Sequence, residues 1–119
     1  MVGWNARMDS IQAEILLNKL PALDKHNTRR RAIATQYNGN LHKDIEIPVQ
    51  NTNSIHVYHQ YVIKHKNVDA IGKTLLSKGI QSRRYYPTSL HRTETYKDEG
   101  SYPNAEYCSS KALAIPVHQ

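Results

Sequence analysis

The sequence contains no phenylalanine, a single cysteine and no long hydrophobic run. The lone cysteine, Cys108, excludes an internal disulfide and is in keeping with a reducing cytoplasm. No apolar stretch approaches the roughly 20 residues that a helix needs to cross a bilayer. The eight tyrosines supply most of the aromatic volume. Because a buried tyrosine hydroxyl needs a hydrogen-bond partner, we expect many of them at boundaries or in a cleft. A length of 119 residues leaves room for one domain.

Lysine and arginine outnumber the acidic residues, 16 to 10, which gives a formal net charge of +6. This excess favours an anionic partner: a nucleic acid, a membrane surface or a phosphorylated small molecule. One function open on the residues alone is a small basic nucleic-acid-binding module, although the chain has neither an aromatic platform motif nor a recognition-helix signature. A second is a non-catalytic domain that binds a ligand or dimerises.

Hydrophobic periodicity divides the chain into helices and strands without an obvious linker or repeat. The predicted helices cover residues 9–20, 22–41, 67–78 and 104–113, and the predicted strands cover residues 56–64 and 80–86. Pro21 is expected to separate the first helix from the second, and Gly79 is expected to end the third helix. The order ααβαβα predicts an α+β domain with helices packed on one face of a small sheet.

Apolar residues at helical spacing predict which helix faces point inward. In the first helix these residues are Ile11, Ile15, Leu16 and Leu20, and in the third they are Val68, Ile71, Leu75 and Leu76. Cys108 falls in the last helix without a suitably spaced histidine, so we expect a packed thiol. His56 and His59 lie on opposite faces of a predicted strand with no carboxylate nearby, so no metal site is predicted.

An amide and a guanidinium, Asn5 and Arg7, precede the first helix. Asp9 follows them, three residues ahead of Gln12, which is the spacing of a capping box. An asparagine donates neutral hydrogen bonds and an arginine donates a charged fork, so the pair suits a phosphate or carboxylate. A surface loop with two solvated side chains is the alternative that the residues alone leave open.

A second segment, residues 79–91, brings Tyr85, Tyr86, a rigid proline and His91 to one loop after a predicted strand. Binding groups are concentrated in such loops. An edge strand that ends at Pro87, with its tyrosines half buried, is the alternative. Because neighbouring strand residues face opposite sides, the adjacent Arg83 and Arg84 cannot both add to one anion-binding surface.

Four separated motifs resemble, in order, those of the DegT/DnrJ-type nucleotide-sugar aminotransferases. They are G-x-N-x-R-[ML]-D-x-[IL]-Q-A at 3–13, a strand like H-x-Y-x-x-Y-V-I at 57–63, G-I followed by [HY]-Y-P-x-[PS]-L-H at 79–91, and P-x-A-E leading to an LALPVH-like ending at 103–118. The resemblance covers nearly the whole chain. It implies the aspartate-aminotransferase fold (fold type I), with residues 1–119 as its C-terminal small domain, and pyridoxal 5′-phosphate as the cofactor of the full-length enzyme.

The resemblance also implies roles for individual residues. Asn5 matches an asparagine that binds the cofactor phosphate of the neighbouring subunit, so a homodimer with shared active sites is expected. Arg7 matches an arginine near the sugar substrate, and Tyr85, Tyr86 and His91 match a loop that contacts the nucleotide sugar. Glutamate is the amino donor implied, in polysaccharide or deoxysugar biosynthesis, and neither nucleic acid nor membrane is implied as a partner. The sugar stays open, because Tyr85 stands where many members have histidine.

Transamination by pyridoxal phosphate needs a lysine for the Schiff base and an acid at the pyridine nitrogen. In the family both belong to the large domain, and no lysine of this chain lies in the family's serine- and glycine-rich lysine motif. We therefore expect a C-terminal fragment or a split-gene product that is inactive alone and does not hold the cofactor. About half of its apolar surface would then face an absent domain, an order-of-magnitude expectation, and the exposed patch should drive oligomerisation.

Overall fold

Four helices and two short strands occupy residues 6–118, the part of the chain that the computed structural model describes. The helices are α1 (Ser10–Lys19), α2 (Leu23–Asn40), α3 (Val68–Ser77) and α4 (Pro103–Lys111), and the strands are β1 (Tyr61–Lys64) and β2 (Ala112–Ile115). Short 3₁₀ helices cover Leu20–Ala22, Leu90–Arg92 and Glu94–Tyr96. No helix within the described range is long and apolar enough to cross a membrane.

The helix boundaries follow the local signals of the sequence. A carboxylate oxygen of Asp9 accepts the backbone N–H of Ile11 at 2.8 Å, which caps α1. Pro21 lies in the 3₁₀ turn that separates α1 from α2, and Gly79, with φ +74°, follows the end of α3. That left-handed backbone is one that glycine adopts without steric cost. The predicted cap, break and terminal glycine are therefore confirmed.

The sheet consists of β1 and β2, which run antiparallel with Tyr61 opposite Ile115 and Ile63 opposite Leu113. The strand predicted over 56–64 is right only for its last four residues. Upstream, His56 Nδ1 accepts the backbone N–H of Tyr58 at 2.8 Å, and Tyr58 has a positive φ of 49°. A local side-chain acceptor of this kind competes with strand pairing and turns the backbone.

The strand predicted over 80–86 is wrong. Only Arg83 pairs there, through an isolated antiparallel bridge to Ala114. The second strand is instead β2, whose first residues fall inside the helix predicted over 104–113. A short apolar run suits either helix or strand, and the available partner β1 decides between them. The helices therefore precede the last strand in the order ααβααβ, while the α+β class with helices on a small sheet is confirmed.

The core lies where α2 and α3 meet the sheet. Its buried residues are Ala34, Tyr58, Tyr61, Ile63, Val68, Leu113 and Val117. Two hydrogen bonds join α2 to the sheet region: the Tyr61 hydroxyl donates to Asn38 Oδ1 at 2.6 Å, and the Tyr37 hydroxyl donates to the carbonyl of Pro116 at 2.7 Å. The inward orientation predicted for Leu76 is wrong, because its side chain is 68% exposed.

The inner face predicted for α1 is also wrong among the described residues, since α1 buries no side chain. Its leucines instead line an apolar hollow of about 450 Å³. The lining residues are Met8, Ala13, Leu16, Leu17, Lys19, Leu20 and Leu23. Of the four residues predicted on that face, Leu16 and Leu20 line the hollow and Ile11 and Ile15 do not. Periodicity also cannot tell which surface covers an apolar face. This hollow is named the α1 groove below.

Candidate functional site

A cleft of about 570 Å³, lined by both polar and apolar groups, opens beside the sheet. Its walls come from α2, from the turn before β1, from the segment before Tyr85 and from the end of β2. The polar side chains that line it are Arg30, His59, Gln60, Gln81, Ser82, Arg83, Tyr85 and His118. The described lining contains no aspartate, glutamate or lysine. A cleft of this volume is in the range that takes a small molecule, and its charge suits an anion.

Arg30 reaches the cleft from the middle of α2. Its Nη1 donates to the carbonyl oxygens of Tyr58 at 3.4 Å and His59 at 3.2 Å. Those carbonyls belong to the turn before β1, so they take no part in the hydrogen bonds between β1 and β2. These hydrogen bonds fix the guanidinium at the cleft wall and give the two backbone carbonyls the donors that they need.

Arg83 lies beside β2, on the edge that does not pair with β1. Its backbone N–H donates to Ala114 at 3.0 Å and its carbonyl accepts from Ala114 at 2.8 Å. The guanidinium carbon lies 5.8 Å from the ring centroid of Tyr85, within the distance of a cation–π contact. The next residue, Arg84, leaves the cleft and donates to Asp69 at 2.9 Å and to the carbonyl of Ser109. The predicted divergence of the two arginines is confirmed.

Tyr85 and Tyr86 are neighbours, but only Tyr85 lines the cleft. Their rings meet edge to face with centroids 5.9 Å apart. Tyr86 is 75% exposed and Tyr85 is 42% exposed. The loop thus presents one tyrosine to the cleft and the other to solvent. Their contacts with a nucleotide sugar stay a prediction.

His91 lies in a different environment, buried against α4. Its Nε2 is 2.9 Å from Glu106 Oε1, and Arg92 donates to the same oxygen at 3.0 Å. Because an ionised carboxylate only accepts, Nε2 carries the proton and donates. The ring also packs on Tyr102, with centroids 4.6 Å apart. His91 therefore ties the loop of Tyr85 and Tyr86 to α4, and it does not line the cleft.

We expect acid to weaken the attachment of this loop. The hydrogen bond from His91, followed by that from Arg92, holds the pKa of Glu106 below its usual range. A lowered folded-state pKa adds stability that is complete above the unfolded-state pKa, about 4.3, and is lost as the pH falls through the folded value. Urea unfolding of the wild type and Glu106→Gln from pH 7 downward should show the stability difference shrinking below that pH. The exposed Glu99→Gln is the matched control, and a difference that is constant with pH contradicts the assignment.

The other predicted site residues lie apart from the cleft or outside the described range. Asn5 lies outside residues 6–118. Arg7 is exposed and lines neither the cleft nor the α1 groove. Cys108 is exposed, so the expectation of a packed thiol is wrong. Within residues 6–118, no group of three or more histidine, cysteine, aspartate or glutamate side chains is placed to hold a metal ion.

Sequence reasoning missed most of the cleft. No motif in the sequence marks Arg30, Gln60, Gln81 or Ser82 as a binding residue. Two members had a usable signal: Tyr85 through its place in a loop after a predicted strand, and Arg83 through the alternation of neighbouring side chains along an extended segment.

The fold is that of the small domain of fold-type I aminotransferases. The backbone matches S. venezuelae DesV in complex with a ketimine intermediate, with a TM-score of 0.89 and 31% identity over 99% of this chain and 33% of that chain. It also matches a DegT/DnrJ/EryC1/StrS aminotransferase from Brucella abortus, with a TM-score of 0.87 and 34% identity over 98% of this chain and 32% of that chain.

The sequence comparisons agree. Residues 1–119 match the model of the DegT/DnrJ/EryC1/StrS aminotransferase family, and the chain belongs to this family. The erythromycin biosynthesis sensory transduction protein EryC1 of Saccharopolyspora erythraea is 34% identical over 97% of this chain. The dTDP-3-amino-3,6-dideoxy-alpha-D-galactopyranose transaminase of Aneurinibacillus thermoaerophilus is 33% identical over 97% of this chain. The chain spans about a third of the length of these relatives, 33% and 32%.

Aminotransferases of this family depend on pyridoxal 5′-phosphate. Covalent attachment of that cofactor needs a lysine, and its ring nitrogen needs an acid. The described cleft lining provides neither a lysine nor a carboxylate. The cleft therefore does not fit the reactive end of the cofactor, and its arginines, amides and hydroxyls fit an anionic or hydroxyl-rich ligand instead.

Proposed function

We propose that this chain is the C-terminal small domain, residues 1–119, of a pyridoxal-phosphate-dependent nucleotide-sugar aminotransferase. The enzyme would transfer an amino group to a keto-sugar nucleotide in polysaccharide or deoxysugar biosynthesis. The observation that carries the proposal is the match of the family over residues 1–119, together with a backbone that follows DesV at a TM-score of 0.89. The transaminase from Aneurinibacillus thermoaerophilus has a nucleotide sugar in its name.

In the proposed enzyme, this chain provides residues that contact the substrate, and the rest of the enzyme provides the lysine that holds the cofactor. Tyr85 lines the cleft, which supports a direct contact with the sugar nucleotide, and the exposed Tyr86 is free to reach the same ligand from solvent. His91 acts through the loop, because its ring nitrogen is engaged with Glu106. Arg7 is assigned to the substrate and Asn5 to the cofactor phosphate of a neighbouring subunit, both on the resemblance of their motif.

The Schiff-base lysine would lie outside these 119 residues. The chain alone would then bind but not transfer an amino group, and the complete enzyme would be a cytoplasmic homodimer that uses glutamate as amino donor. The absence of a lysine from the described cleft lining is in keeping with this division.

The test is amino transfer by the complete polypeptide that carries this chain. Incubated with pyridoxal 5′-phosphate, a 3-amino nucleotide sugar and 2-oxoglutarate, it should form glutamate, whereas the 119-residue chain should form none. The matched control omits the nucleotide sugar. Absence of glutamate with both dTDP- and UDP-linked amino sugars would contradict the proposal. Salt-dependent binding to random-sequence DNA would then favour the nucleic-acid module, and concentration-dependent dimerisation alone would favour a non-catalytic domain.

A further inference from the structure

We propose that the cleft between Arg30 and Arg83 binds a negatively charged oxygen group of the substrate. The group is either the diphosphate that every nucleotide sugar carries or the carboxylate of an acidic sugar, since both present the oxygens that a guanidinium recognises. The identity of the ligand as a nucleotide sugar rests on the proposed function, whereas the anion site rests on the cleft itself.

The charges of the arginines support an anion site at this place. Of the described arginines, Arg84 is paired with Asp69 and Arg92 with Glu106, and Arg30 and Arg83 are the two that share a cleft. Neither Arg30 nor Arg83 forms an ion pair with a carboxylate among residues 6–118. Two guanidinium groups at one cleft repel each other, and an anion between them would relieve that repulsion.

The side chain of Arg30 and the backbone of Arg83 are held in place before any ligand arrives. Arg30 is fixed by the carbonyls of Tyr58 and His59. The backbone of Arg83 is fixed by its two hydrogen bonds to Ala114, and its guanidinium lies over the Tyr85 ring. Immobilising a flexible side chain is a cost of binding, so side chains that are already held bind more tightly than free ones.

Neutral donors complete the site. The amides of Gln60 and Gln81 and the hydroxyl of Ser82 line the same cleft, and such groups donate to phosphate or carboxylate oxygens without adding charge. The cleft volume of about 570 Å³ exceeds what a lone inorganic anion fills, which fits an anion that is one part of a larger molecule.

The experiment is titration calorimetry on the complete polypeptide, with inorganic pyrophosphate and glucuronate as separate probes. Arg83→Gln should weaken binding of the recognised probe roughly 10- to 100-fold, the loss expected for one charged hydrogen-bonding partner. Arg83→Lys keeps the positive charge but loses the paired N–H donors of the guanidinium. Its affinity for the probe should lie between those of the wild type and Arg83→Gln. Arg29→Gln removes an exposed charge of α2 that does not line the cleft, and should change binding less than about twofold.

An effect confined to pyrophosphate identifies the diphosphate, and one confined to glucuronate identifies the sugar carboxylate. The anion site is overturned if neither probe binds the wild type, or if Arg83→Gln and Arg29→Gln have equal effects. The amino-transfer assay on the same wild-type preparation separates the two proposals. Binding that depends on Arg83, without amino transfer, would contradict the proposed function and support the anion site. Amino transfer together with binding that does not depend on Arg83 would support the proposed function and contradict the anion site.

Discussion

Replacement of Tyr61 by alanine is expected to lower the free energy of unfolding by about 3–5 kcal/mol, the range for removing a large buried aromatic side chain. Tyr61 is fully buried at 0% exposure. Its ring contacts those of Tyr37 and Tyr58, with centroids 5.0 and 5.8 Å away. Truncation would leave a cavity at the point where α2 meets β1, and rings held on two different elements cannot collapse into it without moving both.

Tyr61→Phe separates the ring from its hydroxyl. This variant keeps the packing and loses only the hydrogen bond to Asn38 of 2.6 Å, so we expect a loss of about 0.5–1.5 kcal/mol. Urea unfolding followed by circular dichroism measures both variants. A Tyr61→Ala loss no larger than that of Tyr61→Phe would show that the ring cluster does not hold α2 on the sheet.

The double replacement Leu16→Glu and Leu20→Glu is expected to abolish self-association of the 119-residue chain. Leu16 is 52% exposed and Leu20 is 61% exposed, and both line the α1 groove. A second copy would remove this apolar surface from water, at roughly 25 cal/mol for each Å², whereas a buried carboxylate would oppose such contact. Sedimentation velocity over a range of protein concentrations should show oligomers for the wild type and a monomer for the double variant.

Leu76→Glu is the control for that experiment. Leu76 is 68% exposed, but it lies on α3 and does not line the α1 groove. It should leave the oligomers unchanged. A monomeric wild type at every concentration, or equal dissociation by Leu76→Glu, would show that the α1 groove does not bring copies together.

Features of the fold that depend on neighbouring residues were predictable from the sequence. The Asp9 cap, the Pro21 break and the terminal Gly79 each depend on one side chain and its own stretch of backbone. The second strand was not predictable in this way, because residues 112–115 become a strand only through pairing with β1. The exposure of the α1 leucines could not be read from periodicity either, since a stripe does not reveal which surface covers it.

The residues of the candidate site likewise separate into those that local sequence predicts and those that depend on contacts between distant segments. Loop reasoning selected Tyr85, which lines the cleft. It could not select Arg30, whose position depends on the packing of α2 against the turn before β1. The resemblance of four motifs predicted the family, and the family match over residues 1–119 confirms it. The pairing of His91 with Glu106 had no signal at the level of single residues, because it joins a loop to a later helix.

The pairing of β1 with β2 governs the order in which this chain can fold on the ribosome. Tyr61 and Ile63 leave the exit tunnel well before their partners Ile115 and Leu113, so the sheet cannot close until nearly all of these residues have been synthesised. During that interval the tyrosine cluster is without Leu113 and Val117, two of the seven buried core residues, and is open to chaperones and to misassembly. A nascent chain that stalls within α4 would therefore be a substrate for quality control, however well α2 and α3 have formed.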